Sequence, residues 1–92
     1  MKILLTYDIV NSKNRTKLST LLESYGYRVN FSVFELDLKK YEFDLLLKSI
    51  EPFYEKEDSV RIYAFSTDTV AKSYDLNVKR PKPFEKKSAY VN

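Results

Sequence analysis

The stretch "YRVNFSVFELDL", residues 27–38, decides how this chain folds, because its alternation breaks in the middle. Val29, Phe31 and Val33 share one face of an extended chain, whereas Phe34, Leu36 and Leu38 continue on the other. Side chains in a strand alternate with a period of two, so a slip of one residue needs a bulge or a tight turn. The break therefore predicts two short strands joined or kinked between Asn30 and Phe34.

On both flanks the period changes. Upstream, "NSKNRTKLSTLLESYG" (11–26) sets Leu18, Leu21, Leu22 and Tyr25 at i, i+3, i+4 and i+7, one face of a helix. Asn11 or Ser12 can cap its start, and Gly26 is expected to supply a left-handed stop. Before it, "KILLTYDI" (2–9) is rich in β-formers with apolar groups on both faces, as a central strand covered by helices would be. Downstream, "KKYEFDLLLKSIEPFYEKE" (39–57) returns to helical period through Phe43, Leu46, Leu47, Ile50 and Tyr54, with Pro52 disturbing or ending the last turn. "DSVRIYAFS" (58–66) is again β-rich. The order βαββαβ predicts an α+β, ferredoxin-like sandwich, an antiparallel sheet with two helices on one face. "DTVAKSYDLNV" (68–78) is expected to add a short C-terminal strand. The sandwich is assigned to residues 1–78, and the proline-bearing "KRPKPFEKKSAYVN" (79–92) to a basic C-terminal tail.

A chain of 92 residues forms one small domain, whose core must be completed efficiently or shared with a partner. It has no cysteine and no histidine, which removes disulfides, the usual zinc ligands and the usual neutral-pH proton carrier. Hard, oxygen-preferring metals remain. With one glycine there is no Gly-rich phosphate loop, and no side chain has the surroundings of an activated nucleophile. Metal-assisted chemistry, or binding without chemistry, survives this elimination. "MKILLTYDIV" has no small-residue cleavage site, and no apolar run approaches the roughly 20 residues of a membrane span, so a cytoplasmic protein without membrane contact is expected.

Charge is unevenly spread. Residues 1–34 carry five basic and two acidic groups, residues 35–78 six and ten, and residues 79–92 five and one. The positive field lies in the first third and the tail, an arrangement that offers one face to a polyanion. Lys13, Arg15 and Lys17 fall at the start of the first helix, where the dipole disfavours cations by about 0.3–1 kcal/mol each. Exposed amides with added Arg and Lys make a phosphate site there, Arg15 leading; a solvated surface patch is the alternative. Asp8 raises a sharper question, because a carboxylate at the end of an apolar strand either caps the following "NSKN" turn or does chemistry. An unrelated ferredoxin-like RNA-binding module is a competing reading. Neither "NFSVFEL" nor "VRIYAFS" carries the Gly-and-aromatic signature that such a module uses to stack bases.

"YDIV" closing the first strand, "NRTK" opening the helix, "GYRVNFSVFEL" and "DSVRIYAF" together resemble the small CRISPR-associated endoribonuclease family of spacer acquisition, the second of the Cas proteins and dimeric partner of the adaptation integrase subunit. The resemblance spans residues 1–66. Asn30 stands where many relatives carry Gln, an amide of shorter reach. The resemblance implies a homodimer, a metal-dependent endonuclease acting on RNA or DNA, and Asp8 as catalytic, metal-ligating carboxylate. One carboxylate holds Mg2+ (or Mn2+) weakly, but a two-fold axis would let an Asp8 pair share the ion. It also implies that Arg28 joins Lys13, Arg15 and Lys17 in nucleic-acid binding, and that Tyr7, Ser32 and Phe34 support the site near the dimeric cleft. Core packing is the alternative for Tyr7 and Phe34, and an ion pair for Arg28. A second behaviour implied by the family is a non-catalytic dimeric scaffold that binds DNA and bridges integrase subunits.

Overall fold

Strand β1 (Lys2–Asp8) alternates strictly in the computed structural model, which describes residues 1–85: Ile3, Leu5 and Tyr7 are buried, while Lys2, Leu4 and Thr6 between them are partly open. The chain continues through α1 (Ser12–Glu23), β2 (Gly26–Asn30), β3 (Val33–Asp37), α2 (Lys40–Ile50), a 3-10 turn at Glu51–Phe53, β4 (Ser59–Phe65) and α3 (Thr67–Ala71). The four strands form one antiparallel sheet in the order β2-β3-β1-β4, the ferredoxin-like arrangement expected. β1 is central, but both long helices cover the same face. Leu18 and Leu22 of α1 and Leu46 and Ile50 of α2 join Ile3, Leu5, Phe34 and Leu36 in one core.

The slip in residues 27–38 is resolved by two devices at once. Phe31 and Ser32 form a tight turn between β2 and β3, and the register of β2 on β3 shifts between Arg28 and Asn30. Phe34, Leu36 and Leu38 are thereby carried to the core. Phe31 falls in the turn and is left 84 % exposed.

Three expectations are corrected. Gly26 is not a left-handed stop: its φ is not positive, α1 ends at Glu23 with Ser24 as its C-cap, and Gly26 begins β2 in a buried position. A Cβ at Gly26 would collide with the Glu35 carbonyl oxygen and a methyl of Leu36, so close strand approach is what requires glycine. The segment expected to add a fifth strand begins as α3, because Ser66 caps it by accepting from the Thr69 N–H and Lys72 pairs with Asp68 one turn away, and among the described residues no fifth strand follows. α2 ends at Ile50 just before Pro52, as expected, but the helical stripe is shorter than the spacing suggested: Tyr54 lies outside the helix, and Leu47 within it is exposed.

The second face of the sheet bears Leu4, Tyr27, Val29, Val33, Tyr63 and Phe65 by register and carries no long helix. Part of the basic C-terminal segment crosses it. Arg80 Nη2 donates to the Val29 carbonyl at 2.7 Å, the Phe84 N–H donates to Glu35 at 3.0 Å, and the Phe84 ring meets Phe65 edge-on at 5.6 Å. Burial pushes the Glu35 carboxyl above its ordinary value, against the opposing pull of the Phe84 N–H and Arg80. Residues 86–92 of the expected tail lie outside the described residues. Among the described residues no helix is long and apolar enough to cross a membrane.

Gly26→Ala is expected to lower unfolding free energy by about 1–3 kcal/mol, the usual cost of overpacking, because backbone rather than a flexible side chain must yield. A urea denaturation curve with a shifted midpoint and unchanged slope checks this, and a wild-type midpoint would contradict the close-approach assignment.

Candidate nucleic-acid and metal site

Asp8 ends β1 with its side chain exposed, and among the described residues it makes no hydrogen bond or ion pair. Several of the groups around it are taken by others. Arg15 Nη1 donates to the Ile9 carbonyl at 2.8 Å and more weakly to that of Val10 at 3.4 Å. Asp58 Oδ1 accepts the Val10 N–H at 3.0 Å, and its Oδ2 accepts the Glu55 N–H at 2.8 Å. Asn11 caps α1, accepting the Asn14 N–H at 2.9 Å. The capping role considered for Asp8 is therefore filled by Asn11 and Asp58.

The β2–β3 turn stands beside Asp8 and is fixed through one carbonyl. The Phe31 oxygen accepts from the Tyr7 hydroxyl at 3.0 Å and from Arg28 Nη2 and Nε at 2.7 and 3.2 Å. Arg28 Nη1 reaches back to Glu23 of α1 at 3.1 Å. Burial raises the Tyr7 phenol above its ordinary pKa of 10.0, outweighing the Arg28 charge that lowers it. Tyr7 thus keeps its proton at neutral pH and serves as a donor, not a base. Asn30 accepts the N–H of Phe31 at 2.8 Å, so its short amide is used locally.

Between α1 and this turn lies a notch of about 350 Å³, lined among others by Tyr7, Asp8, Arg15, Arg28, Phe31 and Ser32. Five of the residues expected at the site thus meet in one place. Lys13 and Lys17 lie on the exposed surface of α1 outside the notch lining, with no ion pair among the described residues. Phe34 is fully buried, with its ring 6.4 Å from that of Tyr7 and 5.5 Å beneath the Arg28 guanidinium. It supports the notch from the core. A larger groove of about 850 Å³ runs between α2 and β4, lined in part by Leu47, Tyr54, Val60 and Ile62, and contains none of the expected site residues.

Asp8 is the one carboxylate lining the notch, and no group of three or more acidic side chains capable of holding a metal occurs among the described residues. A hard divalent ion prefers about six oxygens. The donor set of one chain fits such an ion only in part, and a second Asp8 across a two-fold axis would improve it. Sequence reasoning missed Asp58 and Phe31. Asp58 gave no signal beyond its place in an acidic loop, whereas Phe31 lies in the stretch from Asn30 to Phe34 where the chain was expected to turn or kink.

A family model described as "CRISPR associated protein Cas2" matches residues 1–73. A curated relative from Synechocystis, "CRISPR-associated endoribonuclease Cas2 3", is 43 % identical over 67 residues, covering 72 % of this chain and 73 % of the relative. Among solved structures, Streptococcus pyogenes Cas2 superposes with a TM-score of 0.66 at 29 % identity, covering 72 % of this chain and 87 % of that one. A chain of a partial Cas6-RT-Cas1–Cas2 complex matches with a TM-score of 0.65 at 33 % identity, covering 91 % and 96 %. By the span of the family match and by these identities, the chain belongs to the Cas2 family of CRISPR-associated proteins.

Proposed function

We propose that this chain is a CRISPR-associated endonuclease of spacer acquisition, hydrolysing phosphodiester bonds of RNA or DNA as a homodimer in which two Asp8 side chains share Mg2+ or Mn2+. The observation that carries this reading is the Asp8 carboxylate, exposed, without a partner among the described residues, and lining a notch with Arg15 and Arg28. The name "endoribonuclease" carried by the relatives supports the class of reaction. The helix-free sheet face, with Leu4, Val33 and Tyr63 by register, offers a surface for the second copy. In the dimer, the segment after α3 is proposed to add a strand at the partner's sheet edge.

Within that reading each residue has a task. Lys13 and Lys17, in no ion pair among the described residues, contribute charge beside the amides that open α1, and meet phosphates. Arg15 uses Nη1 to hold the Ile9 carbonyl and lines the notch, where its other N–H groups would meet a phosphate. Arg28 is spent on Glu23 and Phe31, so it adds charge while fixing the turn. The Ser32 hydroxyl can donate to a phosphate oxygen. A divalent ion, when bound, would supply electrophilic stabilisation and activation of water, which no side chain here offers at neutral pH.

The match over 91 % of the chain to a component of a Cas1–Cas2 complex favours a second role, a dimeric scaffold that holds DNA and joins the adaptation integrase subunit. Both roles use the same basic surface.

Asp8→Asn keeps shape while removing ligand charge. It is expected to leave the dimer, seen by light scattering, and nucleic-acid binding intact while abolishing divalent-metal-dependent cleavage. Cleavage at the wild-type rate would remove Asp8 from catalysis. A wild-type protein that cuts nothing, with Asp8→Asn still supporting integration, would establish the scaffold. Duplex affinity should fall with salt by about 0.9 log units per log unit of salt for each phosphate contacted, and the Lys13→Ala/Lys17→Ala pair should flatten that slope by roughly two. An unchanged slope would place the phosphate contacts elsewhere.

A further inference from the structure

Phe31 is an aromatic ring held out in solvent by a turn whose backbone is fully tied down. Its carbonyl takes donors from Tyr7 and Arg28, and its N–H is accepted by Asn30. Every polar group of the residue has an intrachain partner, yet the side chain is 84 % exposed. The Arg28 guanidinium stands 5.9 Å from the ring centroid, so the ring and the cation share one wall of the notch that Asp8 and Arg15 also line. An exposed hydrophobe is ordinary. One whose backbone is locked, which is backed by a guanidinium and opens on a basic notch, has the construction of a stacking platform.

We propose that Phe31, backed by Arg28, stacks an unpaired nucleobase and so positions single-stranded nucleic acid against Asp8. The inference rests on the reading of the notch as a nucleic-acid site and deepens it by naming a residue that positions the strand. A base offers its face to a protein ring only where it is unstacked, at a single strand, an overhang or a frayed end; inside a duplex both faces are covered. The neighbouring Arg15, Lys13 and Lys17 supply the cations that the flanking phosphates require. Phe31 sits on the turn beside α1, on the notch and not among the residues of the helix-free sheet face proposed for the second copy. Phe31 is a positioning residue, because the ring touches the base and not the scissile phosphate.

The chain contains no tryptophan, so Phe31→Trp places a sole indole at the platform. Full-length F31W, titrated with dodecameric oligoadenylate as RNA and as DNA, is expected to lose fluorescence with the same midpoint as binding followed by anisotropy. The two oligonucleotides separate a ribose-dependent from a sugar-independent platform. Phe31→Ala should weaken single-strand binding by roughly 5- to 100-fold while leaving duplex affinity and its salt slope unchanged, and Phe31→Tyr should retain wild-type binding. Normal binding by F31W with unaltered fluorescence would overturn the stacking role alone. Equal loss of single-strand and duplex binding in F31A, or dissociation of its dimer, would also overturn it, by making Phe31 a general or an interface contact. A wild-type protein that binds neither form would overturn both this inference and the nucleic-acid reading beneath it.

Discussion

The carbonyl of Phe31 is where the chain is tied together. It accepts the hydroxyl of Tyr7 from β1 and two N–H groups of Arg28 from β2, and Arg28 in turn grips Glu23 of α1. Two strands, a turn and a helix are fixed through one oxygen. Because two of those donors are charged, the arrangement is stronger than a neutral turn would be, and it sits above the buried ring of Phe34. Asp8, without a partner among the described residues, and the exposed ring of Phe31 line the notch beside that junction.

Much of the architecture was legible because it follows from periodicity. Leu18 and Leu22 marked the buried stripe of α1, Leu46 and Ile50 that of α2, and the slip after Val33 announced the turn between β2 and β3. Periodicity reports which side chains share a face, and it is silent about how closely two backbones approach. That is why Gly26 read as a helix stop and proved to be a strand residue pressed against Glu35 and Leu36. Local chemistry likewise outweighed β-propensity after β4, where the Ser66 cap turned the chain into α3.

The site was legible in its members and less so in their roles. Tyr7, Asp8, Arg15, Arg28 and Ser32 converge on one notch, but the sequence could not say that Arg28 would be spent on holding the turn, or that Phe34 would lie beneath the site. Long-range partners decide such questions. Asp58, almost fifty residues from the loop it secures, is the clearest case: by taking the Val10 N–H it leaves Asp8 without a structural duty.

A carboxylate released from structural work but too poor in ligands to hold a hard ion alone is the central feature of this chain. Completion by a second copy has a stoichiometric signature. Titration of Mn2+ into the purified protein, followed by electron paramagnetic resonance of the free ion, should saturate at one ion per two chains, with that site lost in Asp8→Asn. Saturation at one ion per chain, or a half-occupied site that survives Asp8→Asn, would contradict a metal shared by paired Asp8 side chains.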